Sequence, residues 1–200
     1  LIFHLLSLED RLRFLKKSSA KKVCIVISDL HLGAGYFIDG KINNLEDFYY
    51  DQELVQFFQF YSSGEYKSQE VEIIINGDFI DFLAVPYVNY FDDKFWGSEA
   101  SVDKLKIVLK AHHEVFEAMR AFISVTNKRI TYILGNHDAE LQMKCVKDCM
   151  IEFFQSSPSF NIIGFEQDEY RPHPGIVIKH GHSYDVPNDI TLEQNFLKMI

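Results

Sequence analysis

Short apolar runs alternate along the chain with longer segments in which apolar residues recur at helical spacing. An apolar run without polar alternation is typical of a strand that is buried on both faces. Such runs predict strands over residues 23–27, 71–75, 129–134, 160–163 and 176–179, and the first of them is expected to be buried on both faces. Helical periodicity predicts helices over residues 50–62, 101–124 and 139–154. Strands and helices in alternation indicate an α/β domain.

An amphipathic helix is predicted ahead of this domain, in residues 1–22. Ser7 and Asp10 are spaced as in a capping box, and leucines follow at helical spacing. This helix either docks on the domain or makes a peripheral contact with a membrane surface. Residues 23–200 then form one domain without an internal repeat. Because the chain begins with Leu1 and stops inside a predicted helix, we expect both ends to be cut.

The composition excludes several classes of protein. With 200 residues, of which 47% are hydrophobic, the chain can bury a real core and is not intrinsically disordered. A net charge of −9 argues against a broad basic surface for duplex DNA. Three cysteines fit no disulfide framework and favour a cytoplasmic protein. Cys145 and Cys149, four residues apart on a predicted helix, are expected to pack as small apolar groups.

Polar side chains follow four of the predicted strands at the point where each strand ends. Asp29 and His31 follow the first strand, Asp78 the second, Asn136 the third and His180 the last. Ligands of α/β sheets bind at the carboxyl ends of the strands. Any one of these residues alone could be a helix cap or a turn former. Together they make a mixed oxygen and nitrogen ligand set without thiolate, which suits Mn, Fe or Zn.

Four motifs in this order resemble those of the calcineurin-like metallophosphoesterase superfamily. They are Asp29-Leu30-His31, Gly77-Asp78-Phe79-Ile80-Asp81, Gly135-Asn136-His137-Asp138 and His180-Gly181-His182. The resemblance covers about residues 23 to 185. It implies a four-layer α/β/β/α sandwich that holds two divalent metal ions, Mn before Fe or Zn, at the carboxyl ends of the strands.

The resemblance also implies a role for each residue. Asp29 and His31 would bind the first metal, Asp78 would bridge both, and Asn136 and His180 would bind the second. A phosphomonoester or phosphodiester would be hydrolysed by a hydroxide that bridges the metals. His137 would protonate the leaving group as general acid, and Asp81 would orient its ring.

Two departures from the family pattern stand out. Nothing after His182 supplies the usual Gly-His-x-His element, so we expect the domain to be truncated at its C-terminus. His182 is expected to pack or hydrogen-bond beneath the site, and Asp138 is a second candidate for such a supporting role. The first motif is similar to the UDP-2,3-diacylglucosamine pyrophosphatase branch, but that branch carries Arg where this chain has His137. The mismatch argues against that specific activity.

An aromatic stretch follows the second motif and is a candidate lip over the substrate. Its candidate residues are Phe82, Tyr87, Phe91 and Trp96. Such a lip would contact an apolar or nucleotide part of a phosphate ester, unless the stretch simply folds onto the domain. Two alternatives to a general phosphoesterase remain open. One is a nuclease of the same superfamily, and the other is a binding module that keeps the fold with impaired catalysis.

Overall fold

The computed structural model describes residues 22–89, 92–165, 167 and 169–184. Strands and helices alternate through most of this range, as the apolar pattern predicts. The strands are β1 (Lys22–Ile27), β2 (Phe37–Ile38), β3 (Lys41–Ile42), β4 (Glu70–Asn76), β5 (Lys128–Ile133), β6 (Phe160–Ile163), β7 (Tyr170–His173) and β8 (Ile176–Ile178). The α-helices are α1 (Asp51–Ser62), α2 (Ser98–Ala111), α3 (His113–Ser124) and α4 (Lys144–Phe153). Within the described residues the fold is therefore mixed α/β.

A parallel sheet forms the centre of the domain. Its four strands lie in the order β1-β4-β5-β6, and every neighbouring pair is parallel. The register pairs Ile27 with Ile75 and Asn76 with Ile133, so these strands end at the same level. The segments that follow β1, β4 and β5 therefore begin at one edge of the sheet, which is the edge that carries the first three motifs.

The two faces of the sheet bury different partners. Side chains of all four helices pack with Ile73, Ile75 and Tyr132 in the larger hydrophobic cluster. Alternate positions such as Ile74 and Ile133 point to the opposite face, where they pack against Ile178 of β8. β4 is buried on both sides because helices cover one face and the hairpin of β7 and β8 covers the other.

One expectation about the strands is wrong. β1 is not buried on both faces: Cys24 is exposed and Val26 is 49% exposed, because β1 is the end strand of the order. The strand that ends before His180 lies outside the parallel sheet, in agreement with the two sheets that the resemblance implies. It pairs with β7 in an antiparallel hairpin, and His180 approaches the site from the second face.

The helices also differ in detail from the periodicity. The helix expected over residues 101–124 divides at His112, which leaves helical geometry with φ −106° and ψ 36°. The apolar stripe keeps its phase across the break, so spacing alone could not reveal it. The helix expected over residues 139–154 begins as a 3₁₀ turn, Ala139–Gln142, and α4 starts only at Lys144.

The cysteines are placed differently from one another. Cys149 is half-buried against the larger cluster, whereas Cys145 is exposed. The expectation that both pack as small apolar groups is therefore wrong for Cys145.

The helix predicted in residues 1–22 lies outside the described residues, apart from Lys22 at the start of β1. No helix among the described residues has the length and apolar character needed to cross a membrane.

Candidate metal centre

Backbone hydrogen bonds join the segment after β1 to the segment after β4. The Asp29 N–H donates to the Gly77 carbonyl at 3.1 Å, and the His31 N–H donates to the Asp78 carbonyl at 2.9 Å. A parallel bridge between Leu32 and Ile80 continues the pairing beyond the strands themselves. The first two motifs are thus held side by side by main-chain bonds, independently of their side chains.

Three of the predicted site residues adopt a left-handed backbone. The φ angles are 55° at Asp29, 53° at His31 and 52° at Asp78. Residues other than glycine adopt this region at a cost of roughly 1–2 kcal/mol each, and such strain clusters at functional sites. The sharp turns that result aim consecutive side chains away from the strand direction.

Asp29, Asp78 and His180 form the first candidate group. Their ligand atoms all lie within 4.8 Å of one another. His180 Nδ1 lies 2.7 Å from the Asn76 carbonyl oxygen, and its Nε2 lies 3.2 Å from Asp78 Oδ2. Because a carbonyl can only accept, the Nδ1 of His180 carries a proton and donates it. Nε2 is the nitrogen that faces the carboxylates.

His31, Asp81 and His137 form the second group, also with ligand atoms within 4.8 Å of one another. A single oxygen of Asp81, Oδ2, lies 3.0 Å from His137 Nδ1 and 3.3 Å from His31 Nδ1. The other oxygen of Asp81 accepts the N–H groups of Leu83 and Ala84. Asp81 therefore fixes both imidazoles by their Nδ1 atoms and leaves both Nε2 atoms directed elsewhere.

Asp78 connects the two groups. Its Oδ2 lies 3.9 Å from His31 Nε2, and its Oδ1 accepts the backbone N–H of His137 at 2.9 Å. Asn136 is half-buried and lies in the same loop, between Gly135 and His137. Asp78 has the central position that the resemblance implies for a bridging ligand, although the assignment of individual ligands to two metals stays a prediction.

Two glycines allow this close approach. A Cβ at Gly77 would lie 2.3 Å from His180 Nδ1, and one at Gly135 would lie 2.2 Å from Asp78 Oδ1. Both distances are shorter than any real Cβ contact. Glycine at these two positions is therefore a condition for bringing His180 and Asp78 together.

The electrostatics of the site favour a positive charge. Burial alone would raise the pKa of Asp78, but the His180 ring and the His137 N–H hold it below its usual value. Burial would lower the pKa of His180, yet Asp78, the Asn76 carbonyl and Asp29 raise it to about 9. Asp81 behaves as Asp78 does: hydrogen bonds from His137 and His31 outweigh its burial and lower its pKa.

These residues fit divalent cations. The donors are carboxylate oxygens and imidazole nitrogens, with no thiolate, which suits Mn, Fe or Zn. Each imidazole is anchored at Nδ1 by a carbonyl or a carboxylate, an arrangement that is usual for metal-binding histidines. A buried carboxylate beside an imidazole needs a proton on that ring or a cation to offset its charge.

Two of the remaining predicted residues, His182 and Asp138, adjoin this centre. The His182 ring packs 5.5 Å from the His180 ring and 5.6 Å from Phe165. Asp138 is completely buried and accepts hydrogen bonds rather than facing the two groups. In the aromatic stretch, Tyr87 and Trp96 are half-buried, and Phe91 lies outside the described residues.

The prediction that Phe82 belongs to a lip over the substrate is wrong. Phe82 is 0% exposed and belongs to the larger hydrophobic cluster, so it cannot overhang a substrate. Its backbone N–H donates to the His137 carbonyl at 3.2 Å, which ties it to the loop after β5 instead. Aromatic residues in a row give no periodicity that would separate core from surface.

Glu46 and His112 support the site but carry no motif that would identify them. Buried Glu46 accepts the N–H groups of Gly33 and Gly35, two and four residues beyond His31. His112, at the break between α2 and α3, lies 3.5 Å from Glu46 and 2.8 Å from Asp51. The loop that contains Glu46 has no hydrophobic period. The only sign of this pair in the sequence is that His112 lies within the apolar stripe of a predicted helix.

The His112 cluster makes the stability of the fold depend on pH. Burial would lower the pKa of His112, but Asp51 and Glu46 raise it from 6.5 to about 9. The pKa of His112 is higher in the folded than in the unfolded protein. Its contribution to the free energy of unfolding is therefore complete below pH 6.5 and disappears as the pH rises through 9. We expect it to be about 3 kcal/mol, to be measured by urea unfolding between pH 6 and pH 10.

Two variants isolate this contribution. His112→Gln should lose stability at pH 6 and converge with the wild type near pH 10, whereas His113→Gln, at the exposed neighbouring position, should follow the wild type throughout. A difference between wild type and His112→Gln that stays constant with pH would contradict the charged state assigned to His112.

Comparisons with known proteins give one match. A family model described as calcineurin-like phosphoesterase matches residues 23–199. No curated protein and no solved structure matches the chain significantly. The matched range contains all the residues of both candidate groups and the described strands from Val23 onward.

Proposed function

Because the chain belongs to the calcineurin-like phosphoesterase family, we propose that it hydrolyses a phosphomonoester or phosphodiester with the aid of two divalent cations, manganese first among them. Membership implies metal-dependent phosphoester hydrolysis. One observation carries the finer proposal. The Asp29–Asp78–His180 group and the His31–Asp81–His137 group lie side by side, because Asp78 also contacts His31 and His137. The proposed metal ligands and the proposed proton donor therefore lie close together.

The metal ligands in this proposal are Asp29, His31, Asp78, Asn136 and His180. Divalent cations, when bound, neutralise phosphoryl oxygens and make a water molecule more acidic near neutral pH. The chain contributes rigid positions for its donors. The rings of His31 and His180 are held at Nδ1, so their Nε2 atoms need no reorganisation.

His137 is the proposed general acid. Its Nδ1–H donates to Asp81, so Nε2 is the atom that can carry the transferable proton. The hydrogen bond that His137 donates to Asp81 raises the pKa of His137 above its usual value, which favours the protonated ring. As water adds to phosphorus and the ester P–O bond breaks, this proton passes to the leaving oxygen. A positioned acid of this kind contributes roughly 10²–10⁴-fold.

The non-phosphate part of the substrate is proposed to be apolar or a nucleotide. A cleft of about 300 Å³ lies beside His180 and includes Leu134, Phe165 and His182 in its lining. Half-buried Tyr87 and Trp96 of the aromatic stretch are further candidates for contact. A phosphate that binds next to His180 has this cleft directly beside it, which supports a substrate with an apolar portion.

Metal analysis combined with hydrolysis tests the proposed function. The purified chain is analysed for bound metals, stripped with EDTA, and assayed with bis-p-nitrophenyl phosphate and p-nitrophenyl phosphate before and after Mn²⁺ is added. We expect hydrolysis that disappears with EDTA and returns with Mn²⁺. The ratio of the two rates separates a diesterase from a monoesterase.

Three other results would overturn the proposal in different ways. Tight metal binding without hydrolysis of either ester would favour a binding module that keeps the fold. Failure to bind Mn²⁺, Zn²⁺ or Fe²⁺ at micromolar concentrations would remove the metal centre itself. An active chain that prefers single-stranded DNA over both esters would favour the nuclease alternative.

A further inference from the structure

A buried tyrosine contacts the loops of the candidate metal centre through one carboxylate. Tyr132, on β5, and Asp138 are both 0% exposed, and the Tyr132 hydroxyl donates to Asp138 Oδ2 at 2.6 Å. The same oxygen accepts the N–H of Phe79 at 3.0 Å, and Oδ1 accepts the N–H of Gly135 at 2.6 Å. Asp138 therefore joins three donors from two different strand ends.

Two of these donors adjoin proposed metal ligands. Phe79 directly follows Asp78, and Gly135 directly precedes Asn136. Asp138 thus links the loop after β4 to the loop after β5 one residue away from each ligand. A change in its position would alter the separation of Asp78 and Asn136, which the proposed function assigns to a shared metal.

We propose that Tyr132 is a positioning residue for the metal centre. Its hydroxyl, held on a central strand, fixes the Asp138 carboxylate and so sets the spacing of the loops that carry Asp78 and Asn136. The inference rests on the proposed function, because it assumes that these two residues bind metal. Nothing in the four motifs includes Tyr132, which precedes the third motif by three residues.

The hydroxyl matters because Asp138 has no access to water. A buried carboxylate that loses a donor is destabilised and adjusts its position. The two backbone donors of Asp138 would follow such an adjustment, since both belong to short loops. The ring of Tyr132 packs in the larger cluster, so phenylalanine preserves its packing while removing the hydroxyl.

The chain offers a matched control on the other face of the sheet. The hydroxyl of Tyr170 donates to Glu72, a buried carboxylate that also accepts from Thr131 at 2.7 Å. Tyr170→Phe therefore removes the same kind of hydrogen bond from the same kind of acceptor. Tyr170 packs with the smaller cluster of Ile74, Ile133, Ile163 and Ile178, opposite the helices.

Mn²⁺ titration by calorimetry, with urea unfolding of the metal-free proteins, tests the proposal. Tyr132→Phe should weaken Mn²⁺ binding by up to roughly 10-fold, the low end of what loss of a direct partner of a metal ligand costs, because Tyr132 acts through Asp138. Its kcat with saturating Mn²⁺ should fall while KM changes little. Tyr170→Phe should lose comparable stability without weakening Mn²⁺ binding.

The possible results are distinguishable. Equal Mn²⁺ affinity for Tyr132→Phe and wild type would overturn the positioning role and leave the proposed function intact. Absence of Mn²⁺ binding by the wild type would remove both. Should Tyr132→Phe fail to fold, Asp138→Asn, which keeps the shape and one acceptor, must show the weakened binding. A normal affinity for that variant would also overturn the inference.

Discussion

Asp78→Asn is expected to abolish tight metal binding and to lower kcat by roughly 10³-fold or more, because several kcal/mol of charge stabilisation are lost with the cations. Asparagine has nearly the same shape as aspartate and keeps an acceptor for the His137 N–H. What it removes is the negative charge that faces His180 at 3.2 Å and His31 at 3.9 Å.

Asp103→Asn provides the matched control for this experiment. Asp103 lies on α2 with a partly exposed side chain, and it contacts Lys106 and the Tyr87 hydroxyl. It carries the same charge as Asp78 but lies in neither candidate group. Metal content by elemental analysis and kcat with added Mn²⁺ are the measurements. An Asp78→Asn protein that retains two metal ions per chain would refute the bridging role.

His137→Ala should impair the hydrolysis of alkyl phosphates by roughly 10²–10⁴-fold, the range of a lost general acid. An alkoxide is a poor leaving group and needs the proton, whereas p-nitrophenolate leaves without one. The loss on p-nitrophenyl phosphate should therefore be much smaller. The measurement is kcat on both substrates for wild type and variant at saturating Mn²⁺.

The exposed neighbour of the helix break supplies a control for this variant. His113→Ala should leave both rates unchanged, because His113 lies on the surface of α3 and in neither candidate group. Equal losses on both substrates for His137→Ala would refute the general-acid role. Such a result would favour a role for the His137 ring in holding Asp81, whose Oδ2 it contacts at 3.0 Å.

The sequence was sufficient to predict the edge of the sheet at which the polar residues meet. The runs before Asp29, Asp78 and Asn136 are apolar enough to predict strands, and strands that run parallel in one sheet necessarily end on one side. The family resemblance named the same residues and is consistent with the family match. The pattern gives the order of the strand ends along the chain, and the parallel sheet brings those ends close together.

Other features depend on contacts that no local pattern records. β8 is apolar whether it pairs in parallel or antiparallel fashion, so its place in a hairpin could not be read from its residues. The break at His112 depends on Glu46 and Asp51, which lie more than 60 residues away along the chain. Phe82 and Trp96 belong to the same aromatic stretch, yet only the folded structure separates the buried ring from the half-buried one.

The left-handed turns at Asp29, His31 and Asp78 have a consequence for protein engineering. Glycine adopts that geometry without penalty, so exchanging any of the three for glycine would relieve torsional strain in the folded chain. That relief offsets part of the stability lost with the side chain, so a screen scored by melting temperature alone would under-report the loss of these side chains. Variant libraries of this protein need a readout of chemistry alongside one of heat resistance.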